Sequence, residues 1–308
     1  MKITVIVLIT LVFSCNIIVA QQLPDTLYSP KLVTKEYPNN DGTKIYIDEG
    51  HKNLHTLDGG FLPTARLLEL DGYRVEGFDT TFSDNTLKGI DVLLIANAGT
   101  PNTDHPIVRP TESAFTDDEI KSLNKWVTQG GSLFLIADHM PFAGAAESLA
   151  DEFGFKFYDG FLMNEDNGGT IDFSRTNKLL TDNFITNGRA EGENVNSVRS
   201  FTGQGFNIPP NAISILNSQK EHLLYLTDTI WVFSSAKVII SGEDLSQGAI
   251  QEFGKGKLAF FGEAAMFTAQ LAGPEGIRVG MNSTEAKENY QLLLNIIHWL
   301  DDRYLEED

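Results

Sequence analysis

Runs of apolar residues at regular intervals predict the strands of one sheet. Residues 91–96 and 132–137 are almost wholly apolar, which is typical of central strands buried on both faces of a parallel sheet. Shorter β-rich runs over 44–49, 74–78 and 256–261 predict three further strands. The sheet therefore has at least five predicted members.

Helical spacing of apolar residues separates these strands. Such spacing occurs over 61–70, 144–153 and 285–302, and the capping box of Thr116 and Glu119 predicts another helix. Alternation of strand and helix is typical of an α/β fold with a doubly wound, mainly parallel sheet.

The succession of strands and helices divides the chain after residue 20 into a leader and one domain with an insertion. Residues 21–43 are rich in Pro, Asn, Asp and Thr and are interpreted as a leader without regular structure. A single α/β domain is predicted over 44–308. A β-rich region inserted at about 155–250 interrupts it, with short β-like runs at 155–158, 195–201, 212–216 and 237–241, expected to form mixed or antiparallel strands and a cap.

The first twenty residues have the pattern of a secretory signal peptide. Lys2 precedes an apolar run, and the segment closes on Ala20, which predicts export to the periplasm or the medium. A lipobox ending at Cys15 is the alternative, and only then would the protein be anchored to a membrane. Because Cys15 is the one cysteine, cleavage after Ala20 leaves no disulfide and no thiolate nucleophile.

Composition and charge exclude several classes of protein. Hydrophobic residues make up 42% of the 308 residues, which is ordinary for a globular protein. The 23 basic and 42 acidic residues give a net charge of -19. A nucleic-acid partner is not expected, because binding phosphates requires a basic surface.

The candidate chemistry lies where predicted parallel strands end. The carboxyl ends of such strands meet at one edge of the sheet, where α/β proteins bind ligands. Histidine and carboxylate side chains at these ends suit general acid and base catalysis. The catalytic candidates are Glu49, His51, Asp138, His139 and Glu263, and the substrate-binding candidates are Lys52, Asn53 and Asn97.

Three interpretations of these residues stay open. They form a metal-free small-molecule site, or a divalent metal site in which His51 and His139 are the candidate ligands. In the third, Asp138 and His139 cap the next helix, and Glu49 and Glu263 form ion pairs or accept backbone N–H groups. His55 lies in a polar loop nearby, where a surface position is expected.

Three motifs resemble a known superfamily. They are Tyr46-Ile-Asp-Glu-Gly-His51, Gly130-Gly-Ser-Leu-Phe-Leu-Ile-Ala-Asp-His139 with Pro141-Phe142, and Gly262-Glu-Ala-Ala-Met-Phe267. The chain is similar to exported bacterial proteins of unknown function in the class I glutamine amidotransferase-like superfamily. The resemblance implies a flavodoxin-like fold with a site at the strand tips. It places 138–140 where active amidotransferases carry a cysteine, so glutamine amidotransferase activity is not expected.

Two function classes follow from these observations, beside a third possibility, a scaffold in which the strand-end residues are purely structural. The first is an exported enzyme that processes small molecules or glycans, most plausibly a hydrolase with a histidine and carboxylate site. The alternative is a non-catalytic carbohydrate- or peptide-binding module on the same fold. Either function implies a small-molecule or glycan partner. The cofactor is unknown, and a divalent metal held by His51 and His139 is the one candidate.

Overall fold

The computed structural model describes residues 22–102, 106–164 and 166–304. The predicted signal peptide with Cys15 lies outside the described residues, and so does His105, a further loop histidine for which a surface position is expected from the sequence. Within the described ranges, no helix combines the length and the apolar character needed to cross a membrane.

Strands and helices follow one another along the chain in this order. They are β1 Gln22–Pro24, β2 Lys44–Asp48, α1 Leu62–Leu70, β3 Arg74–Phe78, β4 Val92–Ala96, α2 Asp117–Thr128, β5 Ser132–Ile136, α3 Phe142–Glu152, β6 Phe161–Asn164, β7 Ile171–Ser174, α4 Phe184–Asn187, β8 Ser197–Ser200, β9 Ile213–Asn217, β10 His222–Leu226, β11 Val238–Ser241, β12 Ser246–Phe253, β13 Gly256–Phe261, β14 Ala269–Ala272, β15 Ile277–Gly280 and α5 Asn289–Leu300. The strands and helices predicted before residue 154 are confirmed, with small shifts of their ends.

A seven-stranded sheet in the order β3-β2-β4-β5-β13-β12-β9 forms the centre of the protein. The pairings from β3 to β13 are parallel, whereas β12 runs antiparallel to both β13 and β9. Three smaller sheets, β1-β14-β15, β11-β10-β6 and β7-β8, are antiparallel. The protein is therefore a mixed α/β protein with several sheets, and the expectation of one mainly parallel sheet is too simple.

Hydrophobic side chains cover both faces of the central sheet. Val92 and Leu94 pack in a cluster with residues of α1 and α5, whereas Leu93 and Ile95 pack in a second cluster with residues of α2 and α3. Successive side chains of a strand point to opposite faces, so a strand buried on both faces is apolar throughout. This burial explains the continuous apolar run at 92–96.

The inserted region is joined to the central sheet rather than set apart from it. Its strands β9 and β12 extend that sheet, and β6, β10 and β11 form a separate antiparallel sheet. The strand predicted over 155–158 is wrong, since only a single bridge from Lys156 to Asn207 forms there. Such pairings join distant parts of the chain, so local composition does not specify them.

Two segments interpreted as irregular contain strands. Gln22–Pro24, in the predicted leader, pairs with β14 through antiparallel backbone hydrogen bonds. The segment between the strand predicted over 256–261 and the helix predicted over 285–302, for which no strand is predicted, contains the hairpin of β14 and β15. The leader interpretation is thus wrong for its first residues, because a long-range partner, and not local sequence, makes them a strand.

Candidate functional site

A topological switch point lies between β2 and β4. The chain passes from β2 to its outer neighbour β3 and then returns to form β4 on the other side of β2. Loops that leave such neighbouring strands diverge, which opens a crevice at the strand carboxyl ends. Here the segments after β2, β4, β5 and β13 surround an opening of about 880 Å³, called the strand-end cavity below. These segments contribute Lys52, Asn53, Leu54, His55, Gly99, Thr100, Asp138, His139, Glu263 and Ala265.

The structure brings five of the eight candidate residues to this cavity. They are Lys52, Asn53, Asp138, His139 and Glu263. The other three, Glu49, His51 and Asn97, do not line it. All three instead stabilise segments that carry lining residues, as described below.

His139 lies directly after β5 with one ring nitrogen fixed by the backbone. Its Nδ1 lies 2.7 Å from the carbonyl oxygen of Met140. A carbonyl oxygen only accepts hydrogen bonds, so Nδ1 carries the proton in the neutral ring and Nε2 carries the lone pair. Nε2 lies 3.9 Å from Oδ1 of Asp138. The cavity therefore contains an oriented imidazole with a basic nitrogen beside a carboxylate.

Aromatic side chains surround the His139 ring. Phe161 stacks on it at a centroid distance of 4.7 Å, and Trp231 meets it edge to face at 4.6 Å. Phe142 lies at 6.5 Å. Trp231 and Phe142 also line the cavity, so one wall of it is aromatic. Such surfaces bind the apolar faces of ligands and reduce the access of water.

Asp138 is held by the ends of two neighbouring strands. Its backbone N–H donates to Oδ1 of Asn97, which follows β4, at 2.9 Å. Its Oδ2 accepts from the backbone N–H of Ala264, after β13, at 3.4 Å. Asn97 adopts a φ of 49°, in the left-handed region that Asn tolerates better than most residues. Asn97 is therefore a support for Asp138 rather than a cavity residue.

Glu263 is a buried carboxyl group beside Asp138. Its two carboxyl oxygens accept from the backbone N–H groups of Ala265 and Met266 at 2.8 and 2.7 Å. Burial raises the pKa of Glu263 well above its ordinary value, and the nearby Asp138 charge raises it further. Glu263 therefore keeps its proton to a higher pH than an ordinary carboxyl group does, which suits a general acid.

His51 forms a buried ionic cluster outside the cavity. Its Nδ1 lies 2.9 Å from Oδ1 of Asp48, and its Nε2 lies 3.0 Å from Oε1 of Glu119. Burial opposes the charged ring, but the two carboxylates outweigh it and raise the pKa of His51. Since both ring nitrogens are engaged, His51 offers no lone pair to a metal or a substrate. The structure therefore places it as a link within the fold.

The remaining candidates make mainly structural contacts. Glu49 accepts from the backbone N–H of Leu57 at 2.7 Å and so holds the loop after β2. Lys52 donates from Nζ to the carbonyl oxygen of Pro101 at 2.8 Å. Asn53 donates to Oδ2 of Asp48 at 2.9 Å. Of these, Lys52 and Asn53 still border the cavity.

His55 lines the strand-end cavity, although a surface position is expected from its sequence. The ring stacks on Phe61 at 5.1 Å, and the residue is buried. Burial lowers the pKa of His55 to about 4. Its position in a strand-end loop, two residues after Asn53, is the one signal in the sequence that points to the site.

The described side chains offer no ready metal centre. No group of three or more His, Cys, Asp or Glu residues in these parts of the chain is placed to hold a metal ion. The pairing of His51 and His139 as ligands is not supported, because only His139 lies at the cavity.

Comparisons with known proteins give similarities of fold. No protein-family model and no curated protein sequence matches the chain. The mmIFT52 N-terminal domain is 15% identical with a TM-score of 0.55, and the match covers 86% of this chain and 100% of that one. ThuA-like proteins of Bacteroides uniformis and Parabacteroides merdae are 13% and 12% identical, each with a TM-score of 0.43, over 88% and 86% of this chain and 94% and 92% of theirs. At 15% identity, the likeness to the mmIFT52 N-terminal domain describes the fold alone.

Proposed function

We propose that the protein is a hydrolase that acts on a small molecule or a glycan fragment in the strand-end cavity. One observation carries this proposal, namely the orientation of His139. Its Nδ1 is held by the Met140 carbonyl group, and its Nε2 has a lone pair beside Asp138. This arrangement suits a general base, since the tautomer and the ring orientation are set before the substrate binds.

In the proposed reaction, His139 removes a proton from a water molecule as that water attacks the substrate. The new bond joins the water oxygen to the substrate, and the bond to the leaving group breaks. The imidazolium that forms is stabilised by the Asp138 carboxylate at 3.9 Å and then returns the proton to the leaving group. Glu263, with its raised pKa, is a second proton donor in the same cavity.

The resemblance noted in the sequence also supports a proposal about the fold. We place the central sheet in the flavodoxin-like, doubly wound group, with 138–140 at the position of the amidotransferase cysteine. Since Asp138 and His139 occupy that position, the proposal does not include amidotransferase activity. Export through the predicted signal peptide accords with a substrate found outside the cell.

Substitution of His139 tests the proposal. The probes are p-nitrophenyl esters and p-nitrophenyl glycosides, and His139→Gln removes the base while keeping much of the side-chain volume. We expect the rate constant kcat on an accepted probe to fall by about 10²- to 10⁴-fold, with KM changed little. His222→Gln is the matched control, because His222 is buried on β10 away from the cavity. Equal kcat in the wild-type and His139→Gln proteins would contradict a base at this position.

A binding module without catalysis is the second candidate, and the aromatic wall favours it. Trp231 and Phe142 offer a stacking surface that needs no reaction to be useful. For a binding module, none of the probes is hydrolysed, and Trp231→Ala weakens ligand binding. The same set of proteins thus separates the two functions.

A further inference from the structure

Two buried polar side chains of the strand-end cavity each carry one atom without a hydrogen-bond partner. They are His55, after β2, and Gln270, on β14, and they are 6% and 3% exposed. Nδ1 of His55 and Oε1 of Gln270 make no hydrogen bond. Buried polar groups are normally paired, so the unpaired Oε1 of Gln270 at the wall of a cavity indicates a partner that a ligand supplies, whereas the unpaired Nδ1 of His55 lies against Gly60.

The packing of His55 orients its ring. Its Nδ1 edge lies against Gly60, at a place where any larger side chain would collide with it. An unpaired buried acceptor is tolerated more often than an unpaired buried N–H, so Nδ1 carries the lone pair and Nε2 carries the proton. The sealed Nδ1 edge leaves Nε2 to face the cavity. His55 thus presents one N–H donor there.

Gln270 presents the complementary group. The hydroxyl of Thr268 donates to the carbonyl oxygen of Ala265 at 2.8 Å, so toward Gln270 its Oγ1 can only accept, and the amide atom 2.7 Å from it is therefore the donor Nε2. The free Oε1 is an acceptor with no partner. The cavity therefore holds a fixed donor from His55 and a fixed acceptor from Gln270.

The charge of the wall argues against an anionic ligand. Lys52 is the one lysine or arginine among the described lining residues. Its Nζ already donates to the Pro101 carbonyl oxygen. Asp138 and Glu263 add carboxyl groups. An ammonium group would satisfy Gln270 but not His55, since it has donors and no acceptor. A hydroxyl group donates and accepts, so it satisfies both residues.

We propose that the strand-end cavity binds an uncharged ligand rich in hydroxyl groups, which accepts a hydrogen bond from Nε2 of His55 and donates one to Oε1 of Gln270. The proposal rests on the proposed function only in placing the ligand in the same cavity. It adds the class of ligand and the two residues that select it. Trp231 provides a stacking surface for an apolar face of that ligand.

The test measures binding by the full mature chain to a defined probe set. The probes are neutral mono- and disaccharides and alditols, each beside its matched uronic acid and amino sugar. Binding is followed by the shift in Tm and by tryptophan fluorescence. We expect neutral members to bind, and His55→Leu and Gln270→Leu each to weaken their binding about tenfold, as expected for one lost hydrogen bond.

Two control variants remove similar groups elsewhere. Gln251→Leu removes another buried, unpaired Oε1, and His222→Leu removes another buried histidine, and neither residue lines the cavity. Both controls are expected to bind like the wild-type protein. Binding by acids or amines alone, equal binding by all variants, or binding by none of the probes would overturn the proposal.

The outcomes separate this proposal from the hydrolase. Neutral binding that depends on His55 and Gln270, without turnover of any probe, supports the ligand class and contradicts the hydrolase. Turnover that depends on His139 but not on His55 or Gln270 supports the hydrolase and contradicts the ligand class.

Discussion

Nε2 of His51 lies 3.0 Å from Oε1 of Glu119, and this contact joins the loop after β2 to the first turn of α2. Oε2 of the same Glu119 accepts from the backbone N–H of Thr116 and completes the capping box of that helix. Asp48 holds the other ring nitrogen of His51. One carboxylate thus starts a helix and fixes the segment that leads to the cavity.

We expect His51→Gln and Glu119→Gln to lower the free energy of unfolding by about 3 kcal/mol each, because either change leaves a buried charge without its partner. Urea denaturation measures this difference. Lys121→Gln, on an exposed face of α2, is the control and should change stability by less than about 0.5 kcal/mol. Losses below about 1 kcal/mol for both buried variants would refute the linking role.

The same cluster predicts how stability depends on pH. The folded state raises the pKa of His51 above 6.5, so its contribution is complete below that pH and is lost as the pH rises through the folded pKa. The folded state lowers the pKa of Glu119 below 4.5, so its contribution is complete above pH 4.5 and is lost as the pH falls through the folded pKa. The stability difference between wild type and His51→Gln should therefore be largest between about pH 4.5 and 6.5. A difference that stays constant from about pH 5 to 9 would count against the charged pair.

Two substitutions of Asn97 test whether this residue supports Asp138. Asn97→Gly keeps the left-handed backbone but removes the hydrogen bond to the Asp138 N–H, at a cost of about 1 kcal/mol. Asn97→Ala removes the bond and adds about 1 kcal/mol of backbone strain. Urea denaturation of the two variants should rank alanine below glycine in stability. The reverse order would show that the backbone at Asn97 is not constrained as described.

The loop that carries Phe201 and Thr202 at the cavity is anchored by Gln204. The buried Gln204 side chain donates to the Ala137 carbonyl oxygen at 3.0 Å and accepts from the Tyr158 N–H at 2.9 Å. Gln204→Leu leaves both backbone groups unpaired, and we expect a loss of about 2 to 3 kcal/mol by urea denaturation. Gln129→Leu, at the C-cap of α2, serves as the comparison. A loss below about 0.5 kcal/mol for Gln204→Leu would mean that this loop is not anchored.

Metal removal bears on the open metal interpretation. His139 has one free ring nitrogen, while both ring nitrogens of His51 are engaged. We therefore expect dialysis against EDTA to leave Tm and the turnover of any accepted probe unchanged. Metal analysis of the mature protein beside His139→Ala is the direct measurement. Near-stoichiometric metal that is lost in the variant would restore a metal site at His139 and contradict this expectation.

Local sequence was sufficient to predict a strand or a helix start wherever the physical cause of that element was local. The apolar strands at 91–96 and 132–137 and the capping box at Thr116 follow from burial on both faces and from side-chain to backbone bonds within four residues. The expectation that strand-end polar residues meet at one edge correctly brought Asp138, His139 and Glu263 together. Strand β1 was not predicted because its partner β14 lies far along the chain. The hairpin of β14 and β15 was not predicted because it depends on cross-strand packing.

The sequence by itself determined which segments become strands and helices between residues 44 and 154, and that polar groups follow the central strands. Only the tertiary structure decided which way each polar side chain turned. His51 lies two residues before Asn53 and His55 two residues after it, yet His51 packs between Phe82 and Phe115 while His55 borders the cavity. Their surroundings come from α2 and from α1, which pack on opposite faces of the sheet, and no local pattern specifies which face a loop side chain meets.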